Sequence, residues 1–431
     1  MNIRIDVPEV MCRASMKNRV DQLAVCGGAP CFAEPLHVGR PNVVGKAKIL
    51  QRISDILDRS WLTNDGQVLK EFEQAVANYA TVKHCIAVCN GTVALQLAMR
   101  GLDLQGEVIL PALTFVATPH AVEWSGARSV FADVDRNHWT LDPVDALARI
   151  NPQTTALVGV HLWGQVCDVA RLADIATEHR LKLIYDASHA LGCTHSGTPV
   201  GNFGDCETIS FHATKFVNAA EGGAILTNND DLAERLRWLR NFGFRDPGCV
   251  ASIGTNGKMS EVSAAIGLTS LEHADRIIEI NAENQGQYQT ECESIPGVTI
   301  RQFNAGQRCN FQYVIAEVDE TQAGLSRDEL MNVLRAENVL ARRYFYPGCH
   351  RLTPYEARGV ESLPWTDAIL QRVLVLPTGI AVDQEDIRAI AQIMRLATTH
   401  AADLRRRTTI RQELPLPLVS THSYPVSADV H

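Results

Sequence analysis

Lys215 stands in a mostly uncharged stretch, Ser210-Phe-His-Ala-Thr-Lys215, and its amine is a candidate nucleophile. Desolvation lowers the pKa of a lysine, and the neutral amine attacks carbonyl carbon to form a Schiff base. Ser210, five residues earlier, can offer its hydroxyl to a phosphate group. Because most isolated lysines are solvated surface residues, the chemistry of Lys215 depends on which other groups the fold brings to it.

Three other segments carry polar or aromatic residues at points where a strand is predicted to end. Asn90-Gly91-Thr92 opens a predicted helix, and a helix N-terminus binds anions such as phosphate. Phe115 can lie flat on a planar cofactor. Asp186 ends an apolar strand, where a carboxylate needs a partner such as a protonated pyridine nitrogen. The competing interpretations are ordinary helix caps for the first and last segments and a core position for Phe115.

The order of these segments is more informative than any one of them. A phosphate-binding helix start, an aromatic residue, an acidic strand end and a Ser-x-x-x-x-Lys motif follow one another along the chain. This is the order found in fold-type I enzymes that use pyridoxal 5'-phosphate (PLP). We therefore predict PLP as the cofactor, with Lys215 as its Schiff-base lysine and Asp186 on its pyridine nitrogen. We predict no metal site.

The elements that must position these residues alternate between strand and helix. Apolar strand segments are predicted at 84–89, 108–110, 127–134, 156–162 and 181–185, with helical patterns such as 171–179 between them. This alternation favours a mainly parallel sheet with helices on both faces. A long helical run is predicted from 260 to about 290. The mixed strands and helices that follow it suit a smaller α+β domain.

The predicted organisation has four parts. Residues 1–60 form an N-terminal segment that packs with the small domain, 61–270 the large cofactor-binding domain, and 271–410 the small domain. Residues 411–431, which are rich in Pro, Ser and Thr and lack periodicity, form a weakly ordered tail.

Composition excludes several other classes of protein. The 431 residues carry a net charge of -9 and no basic stripe, so nucleic acid is not an expected partner. No segment approaches the ~20 apolar residues of a membrane span. The twelve cysteines include no C-x-x-C pair and are expected to be reduced thiols of a cytoplasmic protein.

The most specific motifs of the sequence are Asn90-Gly-Thr-Val-Ala-Leu95, Pro111-Ala-Leu-Thr-Phe-Val-Ala-Thr118, Asp186-Ala-Ser-His-Ala-Leu-Gly192, Ser210-Phe-His-Ala-Thr-Lys215 and Glu221-Gly-Gly-Ala224. Together they resemble the sugar-nucleotide aminotransferases of the DegT/StrS-like family, over about residues 25–400. The resemblance implies an α/β fold of PLP fold-type I, with a mainly parallel, mixed seven-stranded sheet and a smaller α+β C-terminal domain. It also implies a homodimer with its active site at the subunit interface.

The resemblance extends to individual residues. The cofactor-binding residues that it implies are Gly91, Thr92, Val93, Phe115, Asp186, His189, Ser210, Lys215 and Asn256. Among these, Thr92, the amide of Val93 and Ser210 would hold the phosphate, Phe115 would stack on the ring, and His189 would contact its phenolic oxygen. Asn256 would reach the phosphate from the other subunit. The surrounding Gly254-Thr-Asn-Gly-Lys258 departs from the common Gly-Tyr-Asn-Tyr-Arg of the family, which removes aromatic and arginine contacts made there by relatives.

A second set of motifs resembles the C4 transaminases of the desosamine pathway: Gly39-Arg-Pro-Asn42, His161-Leu-Trp-Gly164, Asn241-Phe-Gly-Phe244, Gly254-Thr-Asn-Gly-Lys-Met-Ser-Glu261 and Tyr346-Pro-Gly-Cys-His350. Such enzymes convert dTDP-4-keto-6-deoxyglucose to dTDP-4-amino-4,6-dideoxyglucose with glutamate as amino donor. Arg343 and His350 are candidate contacts to the nucleotide or sugar. The alternatives are transamination at C3, a PLP-dependent sugar dehydratase, in which histidine replaces the lysine, and a PLP-binding regulator without turnover.

Overall fold

The computed structural model describes residues 14–304, 306–359 and 362–406. The predicted tail at 411–431 lies outside the described residues. The strands are β1 Leu36–His37, β2 His84–Val88, β3 Glu107–Pro111, β4 Arg128–Ala132, β5 Thr154–Val160, β6 Lys182–Asp186, β7 Thr194–His195, β8 Thr198–Pro199, β9 Cys206–Ser210, β10 Gly223–Thr227, β11 Phe244–Asp246, β12 Cys249–Val250, β13 Val298–Ile300, β14 Val314–Val318, β15 Val339–Leu340 and β16 Val373–Leu376. The α-helices are α1 Lys46–Arg59, α2 Gln67–Ala80, α3 Gly91–Gly101, α4 Ala117–Trp124, α5 Pro143–Ala148, α6 Val169–His179, α7 Asp230–Arg240, α8 Glu261–Leu271, α9 Ala274–Cys292, α10 Glu320–Ala323, α11 Arg327–Ala336, α12 Thr353–Glu356, α13 Pro364–Arg372, α14 Gln384–Thr399 and α15 Ala401–Arg405.

Seven strands form the central sheet, in the order β2-β10-β9-β6-β5-β3-β4. Within this described sheet only β10 is reversed, since it pairs antiparallel with β2 and β9 while the other pairs are parallel. The parallel strands are buried on both faces, which explains their nearly continuous apolar sequence. The predicted α/β class and the mainly parallel seven-stranded sheet are confirmed.

The direction of the strands places the candidate residues together. Strands β2, β6 and β9 run the same way, so their carboxyl ends meet at one edge of the sheet. Asn90 follows β2, Asp186 ends β6, and Ser210 ends β9. Gly223, at the start of β10, reaches the same edge, and a Cβ there would lie 2.5 Å from the Asn90 carbonyl. Only glycine permits that close approach.

The small domain is built on a three-stranded antiparallel sheet, β13-β14-β16, packed against α9, α11 and α14. The start of the described chain joins this domain, because Leu23 and Phe32 share its core and β1 pairs with β15. Helix α1, in contrast, belongs to the large domain. It packs on α8 and contributes Ile56 to the core of the large domain. The predicted N-terminal segment therefore contributes to both cores: its first part packs in the small domain, and α1 packs in the large domain.

The single helical run predicted from 260 to about 290 is two helices, α8 and α9. They are separated at His273, whose φ and ψ of -106° and 3° are not helical. Helix α9 then crosses from one domain to the other, with Ile277 in the large core and Tyr288 in the small core. No helix of the described chain is long and apolar enough to cross a membrane.

Candidate active site

A cavity of about 730 Å³ opens at the carboxyl edge of the central sheet. Eight of the nine predicted cofactor residues line it, and Asn256 is the exception. Its remaining walls come from α4 and from two segments of the small domain, around Tyr313 and Tyr344. The site therefore lies between the two domains, and the predicted cofactor residues all belong to the large domain.

The first corner of the cavity is the start of α3. Asn90 caps this helix by accepting a hydrogen bond from the Val93 N–H at 2.9 Å. The Val93 amide, predicted as a phosphate donor, therefore has a partner within the chain, while Gly91 and Thr92 occupy the open end of the helix. A Cβ on Gly91 would stand 3.0 Å from the Cβ of Ser210. This glycine leaves space for an anion between the helix end and the Ser210 hydroxyl.

Asp186 is buried, at 5% exposure, and each of its carboxylate oxygens accepts a hydrogen bond. Its Oδ1 accepts a hydrogen bond from the Ser188 N–H at 3.1 Å, and its Oδ2 accepts one from the Thr118 hydroxyl at 2.8 Å. Thr114 Oγ1 lies 2.8 Å from Thr118 Oγ1 and continues the chain of hydroxyls. Neither threonine was predicted to act at the site, although both lie in the motif at residues 111–118. A buried carboxylate fixed in this way can pair with a ring cation facing it.

Lys215 faces the same cavity and is partly exposed. Burial lowers the pKa of its amine to about 8, and the negative charge of Asp186 opposes that shift. Its Nζ donates a hydrogen bond to the Tyr313 hydroxyl, with 3.3 Å between the two atoms. A large fraction of the amine is therefore neutral and nucleophilic near pH 8, as Schiff-base chemistry requires.

His189 lies beside the lysine and is buried. Its Nδ1 accepts a hydrogen bond from the Trp163 N–H at 3.3 Å. Burial, together with the positive charge of Lys215, holds the pKa of the ring well below its usual value. A neutral ring that accepts at Nδ1 carries its proton on Nε2. His189 is thus a hydrogen-bond donor for an oxygen in the cavity.

Aromatic rings form the rest of the cavity wall. Phe115 is 54% exposed, and its ring centroid lies 5.8 Å from that of Phe345. Phe345 in turn stacks on Tyr344 at 4.9 Å. Trp124, at the end of α4, is 82% exposed and also borders the cavity. Apart from Phe115 these aromatic residues were missed by sequence analysis, because nothing in their local pattern distinguishes them from core residues.

Three predicted residues do not reach the cavity. Asn256 is exposed and bridges to Asn241 outside it. Arg343 pairs with Asp328 at 3.2 Å. His350 is 4% exposed and lies 3.1 Å from Asp367. The structure thus gives the two candidate substrate contacts other partners and places Asn256 outside the lining of the cavity.

The comparisons with known proteins agree with this geometry. The sequence is 35% identical to the dTDP-4-amino-4,6-dideoxy-D-glucose transaminase of Shigella dysenteriae, over 84% of this chain and 99% of that protein. It is 34% identical to the GDP-perosamine synthase of Caulobacter vibrioides, over 83% of this chain and 97% of that one.

The crystal structure of DesI in the presence of its TDP-sugar product matches with a TM-score of 0.87 at 47% identity, covering 90% of this chain and 99% of DesI. The model of the DegT/DnrJ/EryC1/StrS aminotransferase family matches residues 44–395. The family, the fold type and the cofactor predicted from the sequence are thereby confirmed. This chain belongs to the DegT/DnrJ/EryC1/StrS aminotransferase family, whose members are fold-type I enzymes dependent on PLP.

Proposed function

We propose that this chain transfers the amino group of glutamate to C4 of dTDP-4-keto-6-deoxy-D-glucose and produces dTDP-4-amino-4,6-dideoxy-D-glucose. The observation that carries this proposal is the likeness to DesI, a desosamine-pathway aminotransferase whose crystal structure was analysed in the presence of its TDP-sugar product. The relative from Shigella dysenteriae, which is named for the same amino sugar, gives independent support. The motifs that resemble the C4 transaminases add to it.

The residues of the cavity fit the cofactor, which supplies an electron sink for carbanions when it is bound. We expect the open end of α3, with Gly91 and Thr92, and the Ser210 hydroxyl to hold its phosphate. The Asp186 carboxylate would keep its ring nitrogen protonated. The His189 Nε2–H would donate to its ring oxygen. These contacts would hold the cofactor in the cavity that Lys215 also lines.

Lys215 would carry out the proton transfers of the reaction. With cofactor and glutamate bound, the Lys215 amine would take the proton from the α-carbon of glutamate as a base and release it again as an acid. The same amine would return the proton in the second half of the reaction, when the keto sugar receives nitrogen. A pKa of about 8 suits both directions, because the amine then accepts and releases protons near neutral pH.

We further propose that the enzyme acts as a homodimer with its active site at the subunit interface. Asn256 is exposed and outside the cavity of its own chain, as a residue that serves a second copy would be. Trp124 and Phe115, which are large and exposed at the cavity mouth, are suited to burial against a partner. A mixture of Asn256→Ala and Lys215→Ala chains should regain activity that neither variant has alone.

The alternatives from the sequence differ in what they require. A dehydratase of this scaffold has histidine in place of the lysine, and Lys215 is present here. A regulator without turnover would be marked by a broken site or an added DNA-binding domain, whereas Lys215, Asp186 and Ser210 all line the cavity here. Transamination at C3 uses the same machinery. A 30% identical relative from Aneurinibacillus thermoaerophilus is named as a dTDP-3-amino-3,6-dideoxy-α-D-galactopyranose transaminase.

The decisive experiment is incubation of the PLP-loaded enzyme with glutamate and dTDP-4-keto-6-deoxyglucose, followed by NMR of the sugar product. We expect an amine at C4 and stoichiometric 2-oxoglutarate. The GDP-linked keto sugar provides a matched control for the nucleotide. An amine at C3, or product only from the GDP-linked sugar, would contradict the proposed substrate.

A further inference from the structure

We propose that Tyr313 is a positioning residue for Lys215. It belongs to the segment Cys309 to Tyr313 of the small domain, here called the clasp, which restricts the position of the reactive amine. The proposal rests on the assignment of Lys215 as the cofactor lysine. Its central observation is the hydrogen bond between Lys215 Nζ and Tyr313 Oη, at 3.3 Å. A lysine amine ends a flexible four-carbon stem, so a fixed partner is needed to restrict where it points.

The Tyr313 ring is itself immobile. Tyr313 is 5% exposed and immediately precedes β14 of the small-domain sheet. Its ring centroid lies 4.7 Å from that of His189 and 6.4 Å from that of Tyr344. Packing on both sides fixes the ring, and the backbone of β14 fixes its base. The hydroxyl therefore stands at a defined point in the cavity.

The other residues of the clasp hold the loops that carry Lys215 and His189. Gln312 Oε1 accepts a hydrogen bond from the Phe216 N–H at 3.3 Å, one residue beyond the lysine. Asn310 is fully buried, and its Nδ2 donates to the His189 carbonyl at 2.9 Å and to the Leu191 carbonyl at 3.0 Å. The contact of Tyr313 with the amine is thus one of several between this segment and both loops.

The hydroxyl can hold the amine without competing for its proton. Burial raises the pKa of Tyr313 above its usual value, so the phenol stays neutral at any working pH. A neutral phenol accepts a hydrogen bond from an ammonium and donates one to a neutral amine. Tyr313 therefore suits a residue that must keep Lys215 in place in both of its protonation states.

The test compares Tyr313→Phe with Tyr288→Phe in the full-length protein. Tyr288 is a matched control, since it is a buried tyrosine of the same domain whose hydroxyl donates to the Pro377 carbonyl at 2.9 Å, away from the cavity. The first readout is the pH dependence of PLP capture by protein stripped of cofactor, followed by visible absorbance. The second is kcat and KM for glutamate.

Loss of the Tyr313 hydroxyl removes a partner from both forms of Lys215, and the ammonium form loses the stronger, charge-assisted bond. In Tyr313→Phe we therefore expect the capture inflection near pH 8 to move down by about one pH unit. We also expect kcat to fall about tenfold with KM for glutamate unchanged, because an unheld amine reaches the reacting carbons less often. Tyr288→Phe should show neither change.

Identical inflections and kcat values for the two variants would overturn the role of Tyr313. Failure of the underlying assignment is separately visible. If borohydride still fixes PLP to a Lys215→Ala chain, another lysine carries the cofactor and the proposal falls with that assignment. The capture assay contains no sugar, so its result is independent of the proposed sugar substrate.

Discussion

Replacement of Asp186 by asparagine should abolish most of the turnover while preserving the fold. The side chain keeps its shape, and its remaining oxygen can still accept the Ser188 N–H. The Thr118 hydroxyl, which now donates to Oδ2, can turn and accept from the new amide instead. The change therefore removes the negative charge and little else.

The magnitude follows from the burial of Asp186, which is only 5% exposed. Removing one partner of a buried ion pair costs about 3–5 kcal/mol. If that energy is lost from the transition state, kcat falls by about two to four orders of magnitude, at about 1.4 kcal/mol per tenfold. The same charge raises the pKa of Lys215 against the effect of burial. In Asp186→Asn the inflection for PLP capture should therefore shift below pH 8.

The assay is a single-turnover reaction of PLP-loaded enzyme with glutamate, which isolates the first half of the reaction. Asp133→Asn is the matched control, because Asp133 is another buried aspartate near a strand end, bonded to the Thr366 N–H and lying outside the cavity. That variant should lose stability and keep its rate. An Asp186→Asn enzyme within tenfold of the parent rate would refute the pairing of Asp186 with the ring nitrogen.

Three further outcomes follow from the same structure. Because burial lowers the pKa of Lys215 to about 8, the rate of PLP capture should rise with pH through that value and level off above it; a rise only near pH 10 would show a solvated lysine. Gly91→Ala, whose Cβ would crowd the end of β9, should weaken PLP binding about tenfold in an absorbance titration, whereas Gly286→Ala, in open space on α9, should leave it unchanged. Glu337→Gln should lower the free energy of unfolding by about 3 kcal/mol in a denaturant titration, because it leaves Lys17 buried without its charge partner; a loss below about 1 kcal/mol would contradict the importance of that pair.

The cofactor side of the cavity could be predicted because its signals are local. Asn90, Asp186 and Ser210 each stand where an apolar strand stops, and a parallel sheet brings such ends to one edge. The prediction needed only the strand pattern and the rule for where ligands bind in α/β sheets. Lys215 could be distinguished from other lysines because it follows these residues along the chain in the order found in fold-type I PLP enzymes.

The small-domain side could not be predicted in this way. Tyr313 lies 98 residues from Lys215 in the sequence, and its pattern is that of an ordinary strand residue. Its position in the cavity depends on how the two domains pack, which no local periodicity encodes. The break at His273 was missed for a related reason, since the sequence around it contains neither proline nor glycine to mark the end of α8.

The division of the cavity between domains suggests where substrate preference is determined. The large domain supplies the groups that we expect to contact the cofactor, whose structure is the same for every member of the family. The small domain supplies Tyr313, Tyr344 and Phe345 to the wall of the cavity. Relatives named for dTDP- and GDP-linked sugars match this chain almost equally well, at 35% and 34% identity. Identity to these two relatives therefore does not separate their substrates, and substitutions of Tyr344 and Phe345 should change sugar preference more than they change the reaction of the enzyme with glutamate.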